Sequence, residues 1–400
     1  MKLFILVSAI SILLFVGKLT YDRVGANMII KSDSQVIANK TSHISSQMGD
    51  IEEYEQKNSA ISHSEKIIKD SIEHICFSDQ NHGWFATQRK LFKTVDSGKT
   101  WQEIKINIPQ DAFIKQILFN NATVGWLVLQ KDVSDINEYN QKYAWLMKTS
   151  DGGQTWICMY ESKAIEINQI LFTDELNGWF IGTKYTGISP FTFTSIIANT
   201  NNQGADWTDV SEEFNSYLHE VANTTYINEP IVRLTQKNDS ILTITSGKWI
   251  FATSNLGKSW KYLDSVINRA FDNTGLRKFS VKDDGSLWFL GSTNGDHGTW
   301  INLYTQQTNE DWKEHFLVAI IYSDIEYLSK EKFLLSGDIS NGTTKESVLL
   351  YSKNAGQSWV KIFKNNKSIM NDIAINDDKA WIACDDGTIV KIDLSKLDEE

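Results

Sequence analysis

Four hundred residues ordinarily make two or three domains, and a formal net charge of −11 argues against a nucleic-acid partner. The cysteines Cys76, Cys158 and Cys384 stand at unrelated spacings, which excludes a disulfide framework or a zinc cluster. With 3 prolines and 14 tryptophans the chain reads as ordered and aromatic-rich rather than of low complexity.

Met1 to Thr20 reads as a targeting segment. Lys2 supplies a short positive region, Leu3 to Val16 is apolar or small throughout, and Lys18 ends the run. That run is shorter than the roughly 20 residues that span a bilayer comfortably. It lacks a clear small-x-small cleavage site and a cysteine for lipidation. A cleaved signal peptide and an uncleaved N-terminal membrane anchor both fit, and either places the rest of the chain outside the cytoplasm. Tyr21 to Ala60 is polar, rich in Ser, Lys, Gln, Asn and Glu, and reads as a tether.

From there an octet recurs. Thr94 to Trp101 is TVDSGKTW, Thr149 to Trp156 is TSDGGQTW, and Thr200 to Trp207 is TNNQGADW. Thr253 to Trp260 is TSNLGKSW, Thr305 to Trp312 is TQQTNEDW, and Ser352 to Trp359 is SKNAGQSW. The closing tryptophans are 55, 51, 53, 52 and 47 residues apart, a period that holds a four-stranded unit and marks a propeller-like array. Asp96 or Asp151 can accept backbone N–H groups, Gly98, Gly153, Gly204, Gly257 and Gly356 supply a positive φ, and Trp101, Trp156, Trp207, Trp260, Trp312 and Trp359 plug the turn onto its own sheet. Asn202, Asn255, Asn354 and Gln307 replace the aspartate in the other copies, which suits a structural turn and not a metal loop.

A second motif precedes each octet. Phe77 leads to Trp84 in FSDQNHGW, Phe119 to Trp126 in FNNATVGW, and Phe172 to Trp179 in FTDELNGW. Leu234 to Ile241 and Val281 to Trp288 keep the spacing, and Leu328 to Phe333 and Ile375 to Trp381 shorten it. Each is strand, polar turn, strand. One unit therefore has four strands, in the first Glu73 to Ser78, Gly83 to Thr87, Lys90 to Thr94 and Trp101 to Ile106, with the octet between the last two. The seventh unit has Asp372 to Ile375, Lys379 to Cys384 and Thr388 to Ile392 but no fourth strand. His63 to Asp70 resembles Gln357 to Lys364, so Glu65 to Ile68 is expected to close the ring against Ile389 to Ile392, removing two open edges. The expectation is an all-β protein, a seven-bladed β-propeller of four-stranded blades over residues 61–400, its ring closed by an N-terminal strand.

Alternating strand direction places the octets and the first turns of all blades on one face. The opposite face collects the irregular excursions Lys131 to Tyr143, Thr183 to Thr194, Ser211 to Pro230, Asp264 to Gly275, Ser292 to Thr299 and Asp338 to Lys345. Binding residues concentrate on such loops. Its aromatics Tyr139, Tyr143, Tyr185, Phe191, Phe193, Phe214, Tyr217 and Tyr226 either form a protein or glycan interface or pack the loops down. Its acidic residues, among them Glu212, Glu213, Glu220, Asp132, Asp135, Glu138, Asp296 and Asp338, are explained by solvated loop charge. The histidines His74, His82, His219, His297 and His315 lack metal-ligand spacing, and no phosphate loop, nucleophile elbow or dinucleotide fingerprint is present, so no cofactor or metal is called for.

The octets resemble Asp-box (BNR) repeats of sialidases and many other propellers. Resemblance to sialidases implies three inner-strand arginines, a Tyr/Glu nucleophile pair, an acidic Asp and a Phe-Arg-Ile-Pro sequence. The chain has Arg23, Arg89, Arg233, Arg269 and Arg277, of which only Arg233 and Arg277 fall on inner strands, and it lacks Phe-Arg-Ile-Pro. The paired arrangement over about Ile61 to Leu397 is more specific. Carried by Asp79, Gly83, Trp84, Asp96, Gly98, Trp101, Asp151, Gly153, Trp156, Asp174, Gly178 and Trp179, it resembles the photosystem II stability/assembly factor-like propellers. That resemblance implies an export-targeted, generally non-enzymatic protein that binds membrane-protein intermediates. Members that serve the photosystem carry an arginine-rich patch, for which this chain lacks the arginines. The function expected is an exported, monomeric scaffold with a protein partner, a membrane protein or complex being one form of it. An extracellular glycan-binding protein or sialidase-like glycoside hydrolase is the alternative.

Overall fold

The computed structural model describes residues 60–398 except 133–141, 186–192, 223–230, 238–239, 246–248, 266–273, 282–284, 296–297, 307–311, 318–319, 330 and 341–344. Targeting segment and tether lie outside this range. Among the described residues no helix is long and apolar enough to cross a membrane.

The strands form seven four-stranded antiparallel sheets, each built from consecutive strands except the one that closes the ring. Blade 1 holds His74–Phe77, Gly83–Ala86, Leu91–Thr94 and Gln102–Ile104. Blade 2 runs from Ala112–Phe119 to Ile157–Lys163, blade 3 from Ile165–Phe172 to Thr208–Asp209, and blade 4 from Ile231–Lys237 to Lys261–Ser265. Blade 5 runs from Thr274–Val281 to Lys313–Leu317, and blade 6 from Ile320–Ser329 to Val360–Asn365. Blade 7 combines Met370–Asn376, Lys379–Cys384 and Thr388–Asp393 with the N-terminal strand Ile61–Lys66. The first strands of successive blades adjoin one another and surround the central channel.

Ring closure follows the expected antiparallel pairing but a different segment. Ile61 faces Ile392 and Lys66 faces Thr388, so the strand ends before Ile67 rather than spanning Glu65 to Ile68. Ile67 and Ile68 instead donate their N–H groups to the Gly387 carbonyl (2.9 and 3.4 Å) and pack into the core between blades 7 and 1. The likeness to Gln357 to Lys364 misled because it matched the apolar pair, which here marks the exit turn.

The octets work as turns, with a longer reach than the side-chain rules imply. Asp151 accepts the N–H of Thr155, four residues on, at 2.9 Å, and its other oxygen accepts the Thr155 hydroxyl at 2.6 Å. The Thr149 hydroxyl donates to Asp151 and accepts from Gly153 N–H at 2.9 Å. Where Asn replaces Asp the polarity of one bond reverses. Asn255 donates its amide to the Ser259 hydroxyl at 2.8 Å, as Asn354 does to Ser358, and Asn202 donates to the Asp206 carboxylate at 3.0 Å. Octet positions four and five are both left-handed: Ser97 and Gly98, Gly152 and Gly153, Gln203 and Gly204, Leu256 and Gly257, Ala355 and Gly356. Only the fifth is glycine throughout these copies. A Cβ at Gly204 would collide with the Trp126 ring of the preceding blade, whereas position four carries a side chain in four of these copies, Ser97, Gln203, Leu256 and Ala355.

That collision exposes what the F…GW motif does. Phe77 lies over Gly83 of its own hairpin, where a Cβ would come within 2.5 Å of the ring, and stacks on Trp381 of blade 7 at 3.6 Å between centroids. Phe119 stacks likewise on Trp84 of blade 1 at 3.6 Å and Phe172 on Trp126 of blade 2 at 4.8 Å. The Trp84 indole N–H donates to the Gly152 carbonyl, and that of Trp381 to Ser97, both at 3.2 Å. The strand-two tryptophans Trp84, Trp126 and Trp381 thus pack against both the inner strand and the octet of the following blade. Among the octet tryptophans, Trp156 meets Phe119 of its own blade edge-on at 6.1 Å and donates to Gly153 at 2.8 Å, while Trp207 and Trp260 also meet the strand-two tryptophan of the preceding blade, Trp126 at 6.1 Å and Trp179 at 6.4 Å. Trp260 and Trp359 are buried; Trp101, Trp207 and Trp312 are half-buried.

Three excursions are not loose. Gly178–Tyr185 and Phe193–Thr200 pair out to Tyr185–Phe193, Leu287–Gly295 and Gly298–Gln306 out to Gly295–Gly298, and Lys332–Ser340 and Lys345–Ser352 out to Ser340–Lys345. Blades 3, 5 and 6 therefore rise as tall hairpins on that face. In blade 3 the fourth strand shrinks to Thr208–Asp209, and the helix Ser211–Ala222 covers the edge it leaves, with Asn215 donating to the Ser195 carbonyl and the Ser211 hydroxyl accepting Ile197 N–H, each at 2.9 Å. The spacing of Phe214, Tyr217, Leu218 and Val221 carries this helix, with Glu212 and Glu213 suiting its first turn.

Candidate functional site

The channel wall is built from one register position per blade. Most inner strands bulge one residue before it, and the residue after the bulge is Gln116, Gln169, Arg233, Lys278, Asp324 or Asp372 in blades 2 to 7. His74 is the counterpart in blade 1. These side chains form a polar collar, and Gln116, Gln169, Lys278, Asp324 and Asp372 clasp the next blade. Gln116 accepts Ile170 N–H at 3.0 Å and Gln169 accepts Leu234 N–H at 2.8 Å. Asp324 accepts Ile373 N–H at 3.0 Å and Asp372 accepts Ile75 N–H at 2.8 Å. The bulged residues add to this, Asn168 donating to the Ile231 carbonyl at 3.1 Å and Asn371 to the Ile72 carbonyl at 2.9 Å. The bulge is what re-aims the side chains toward the next blade.

The collar is electrostatically uneven. Lys278 of blade 5 bonds Asp324 at 2.9 Å and also Glu326. Burial opposes the charge on Lys278, but Asp324 and Glu326 outweigh it and hold the ammonium well above its usual range. Burial and then the opposing push of Asp324 raise Asp372 well above the carboxylate range. Burial lifts Glu326 to about 7 against the pull of Lys278. Burial, helped by Lys115, lowers His74 to about 4 and keeps it neutral at physiological pH.

A second cluster lies on blades 2 and 3 toward the hairpin face. Glu166 accepts from Lys142 at 3.0 Å and from the Tyr185 hydroxyl at 3.2 Å, with Lys115 at 3.5 Å, while Lys142 also pairs with Asp132 at 3.1 Å. A tyrosine beside a glutamate is the pair a sialidase would use as nucleophile and base. Here the tuning runs the wrong way. Burial, then Glu166, pushes the Tyr185 phenol up to about 12, and a nucleophile needs the opposite shift. Glu166 stays ionised because Lys142 and Lys115 outweigh its burial. Arg89 is taken up as a clip on the Ala112, Ile108 and Pro109 carbonyls. Arg233 stands at the collar position and Arg277 at the bulge before Lys278, while the Arg277 side chain, Arg23 and Arg269 lie outside the described residues.

The structure separates the aromatics expected on this face. Tyr185 belongs to the Glu166 cluster, with the Lys142 ammonium 5.2 Å from its ring. Tyr143 stacks on Trp145 at 4.4 Å, and both stay half-exposed. Phe193 pairs across from Tyr185 and is half-buried. Phe214 takes the packing alternative and not the binding one: it is wholly buried in the helix, edge-on to Phe251 and Trp260, and belongs to the core. Tyr217 packs beside it and accepts Tyr262 N–H at 3.2 Å. Tyr139, Phe191 and Tyr226 lie outside the described residues. Among the described residues no three His, Cys, Asp or Glu side chains converge as metal ligands. Sequence reasoning missed the collar, although I-x-Q-I in Ile114 to Ile117 and Ile167 to Ile170 signalled it, a polar residue fixed between two apolar ones at the same place in consecutive units.

Fold and channel together define a seven-bladed β-propeller whose blades are joined by aromatic stacks outside and a polar collar inside. The family described as "Photosynthesis system II assembly factor YCF48" matches residues 55–393, and the chain belongs to it. Among solved structures the chain is similar to YCF48 bound to D1 peptide, at 17% identity and TM-score 0.56, over 82% of this chain and 96% of that one. It is also similar to YCF48 from Cyanidioschyzon merolae, at 14% identity and TM-score 0.56, over 83% and 98%. The GH74 xyloglucanase from Xanthomonas campestris shares the fold at 10% identity and TM-score 0.58, over 83% of this chain and 54% of that chain. No curated protein matches the sequence.

Proposed function

We propose that this protein is an exported, monomeric assembly-factor-like propeller that holds a protein segment on its hairpin face and performs no chemistry on it. The observation that carries the reading is membership of the YCF48 family over residues 55–393, supported by a relative solved with a D1 peptide. Two features of this chain favour binding over catalysis. Gln116, Asp324 and Asp372 on its inner strands are committed to blade-to-blade clasps, and its Tyr185–Glu166 pair is tuned against nucleophilic attack. The octet face is uniform, whereas blades 3, 5 and 6 raise hairpins of different sequence on the other, which is where selectivity for a partner resides. The partner proposed is a membrane protein or an intermediate of one, met outside the cytoplasm, with Met1 to Thr20 as export signal or anchor.

Photocrosslinkers placed singly at Lys184 and Lys345, on hairpin strands, and at Lys99 and Lys258, on octets, test this in native membranes. The hairpin probes are expected to trap one discrete membrane protein and the octet probes none. Equal trapping from both faces, or turnover of aryl glycosides or sialosides by the purified protein, would overturn it.

A further inference from the structure

The collar is charged where the ring closes. Among the described side chains, one arc, from blade 5 through blade 1, sets the ammonium of Lys278 against three carboxyl groups, Asp324, Glu326 and Asp372. Two of those carboxyl groups are also fasteners, Asp324 joining blade 6 to blade 7 and Asp372 joining blade 7 to blade 1. Blade 7 is the blade assembled from both ends of the fold, with Ile61–Lys66 as its outer strand. Three other described groups face the arc. His74 of blade 1 is 4.0 Å from Asp372 and neutral, Cys76 of the same strand faces Asp372 as a thiol raised by burial, and Lys115 of blade 2 faces His74 and is shared with Glu166.

We propose that this arc is a proton-responsive latch: it holds blade 7 between blades 6 and 1 more firmly when one of its carboxyl groups carries a proton than when all three are ionised. The chemistry needs no bond to break. A protonated carboxyl group keeps a carbonyl oxygen that still accepts the Ile75 or Ile373 N–H, so protonation removes repulsion and leaves the clasps in place. The direction follows from the raised values of Asp372 and Glu326, whose cause is burial first and neighbouring carboxylates second. The closed ring then retains a proton that the opened ring releases. Closure is strongest below the ordinary carboxylate value near 4 and weakens as pH rises through about 7.

Amide hydrogen exchange of the full chain from pH 5 to pH 8, corrected for intrinsic rates, tests the latch. The opening equilibrium of Thr388–Asp393 against Ile61–Lys66 is expected to rise by up to about tenfold per pH unit through the window, the increment for one proton. Blade 3 strands Ile165–Phe172 and Gly178–Tyr185 serve as the control and are expected to stay flat, because Glu166 is shifted the other way. Asp372→Asn and Glu326→Gln, which keep an acceptor and remove the charge, should each flatten the profile at the closing seam. The proposal is overturned by an unchanged profile in Glu326→Gln, by an equal response in blade 3, or by protection that increases with pH. If Asp372→Asn does not fold, Glu326→Gln decides alone, since Glu326 makes no backbone clasp.

Discussion

The octet rim and the inner collar hold the same seven blades together by opposite means. On the rim the contact is repeated: a strand-two tryptophan such as Trp84, Trp126 or Trp381 packs against the octet of the following blade, and Lys148, Asn199 and Lys391 donate to position-four carbonyls at 2.7, 2.8 and 3.1 Å. In the collar the position is repeated but the chemistry changes around the ring: Gln116 and Gln169 close their seams with an amide, Lys278 with an ammonium, and Asp324 and Asp372 with a carboxyl group. Repetition makes the rim a scaffold; variation at a fixed register lets the collar carry a local property, here an excess of carboxyl groups at the closing seam.

The sharpest break between rim and collar comes from cutting the closing strand, which both depend on. Removing the chain through Lys66 takes away the outer strand of blade 7, uncovers Thr388–Asp393 and deletes Ala60, whose carbonyl accepts Asp393 N–H at 2.8 Å. The expected loss exceeds the ~5 kcal/mol that marks the most damaging point changes, with aggregation or loss of a cooperative thermal transition. Truncation through Ser59 should retain that transition. Equal melting of the two proteins would mean that something else closes the ring.

Within the rim the two tryptophan classes should differ. Trp84 is fully buried, stacks at 3.6 Å on Phe119 of the next blade, and donates to Gly152 across the seam. Trp84→Ala is expected to cost about 3–5 kcal/mol. Trp156 is half-buried and bonds within its own turn, so Trp156→Ala is expected to cost about 2 kcal/mol. Urea titration of both variants checks this, and the reverse order would show that the octet tryptophan, not the strand-two tryptophan, ties the blades.

What was legible in sequence divides along the same line. The octets and the F…GW hairpins could be read because each uses special residues, a positive-φ glycine or a large ring, at fixed spacing, and strand boundaries in blades 1 and 7 came within a few residues. The helix Ser211–Ala222 was legible by its i, i+3, i+4 apolar spacing but was hidden by the expectation of a loop. The collar was legible only in the I-x-Q-I of blades 2 and 3, because Arg, Lys, Asp and His at the same position elsewhere look like unrelated surface residues until the bulges align them. The side of each seam that a phenylalanine stacks on was equally invisible, since period and spacing fix a blade and not its neighbour.

The smallest expected effect asks how far the rim's tolerance extends. Gln203 sits at octet position four of blade 3 with φ 61°, a left-handed conformation, and its side chain is exposed. Its N–H bonds the Leu176 carbonyl at 2.9 Å and its own carbonyl accepts Lys148 at 2.7 Å, so the backbone alone does the work. Gln203→Gly should relieve about 1 kcal/mol of left-handed strain and return part of it through the greater freedom of glycine in the unfolded chain. The net expectation is a gain of about 0.5 kcal/mol, seen as a small rise in Tm. In blade 2 glycine already fills that position, and Gly152→Gln should do the reverse and more, because a Cβ there runs into the Lys93 ammonium and the Ala122 carbonyl. If Gln203→Gly instead lowers Tm, the side chain at position four is part of the seam, and the rim is less uniform than its backbone.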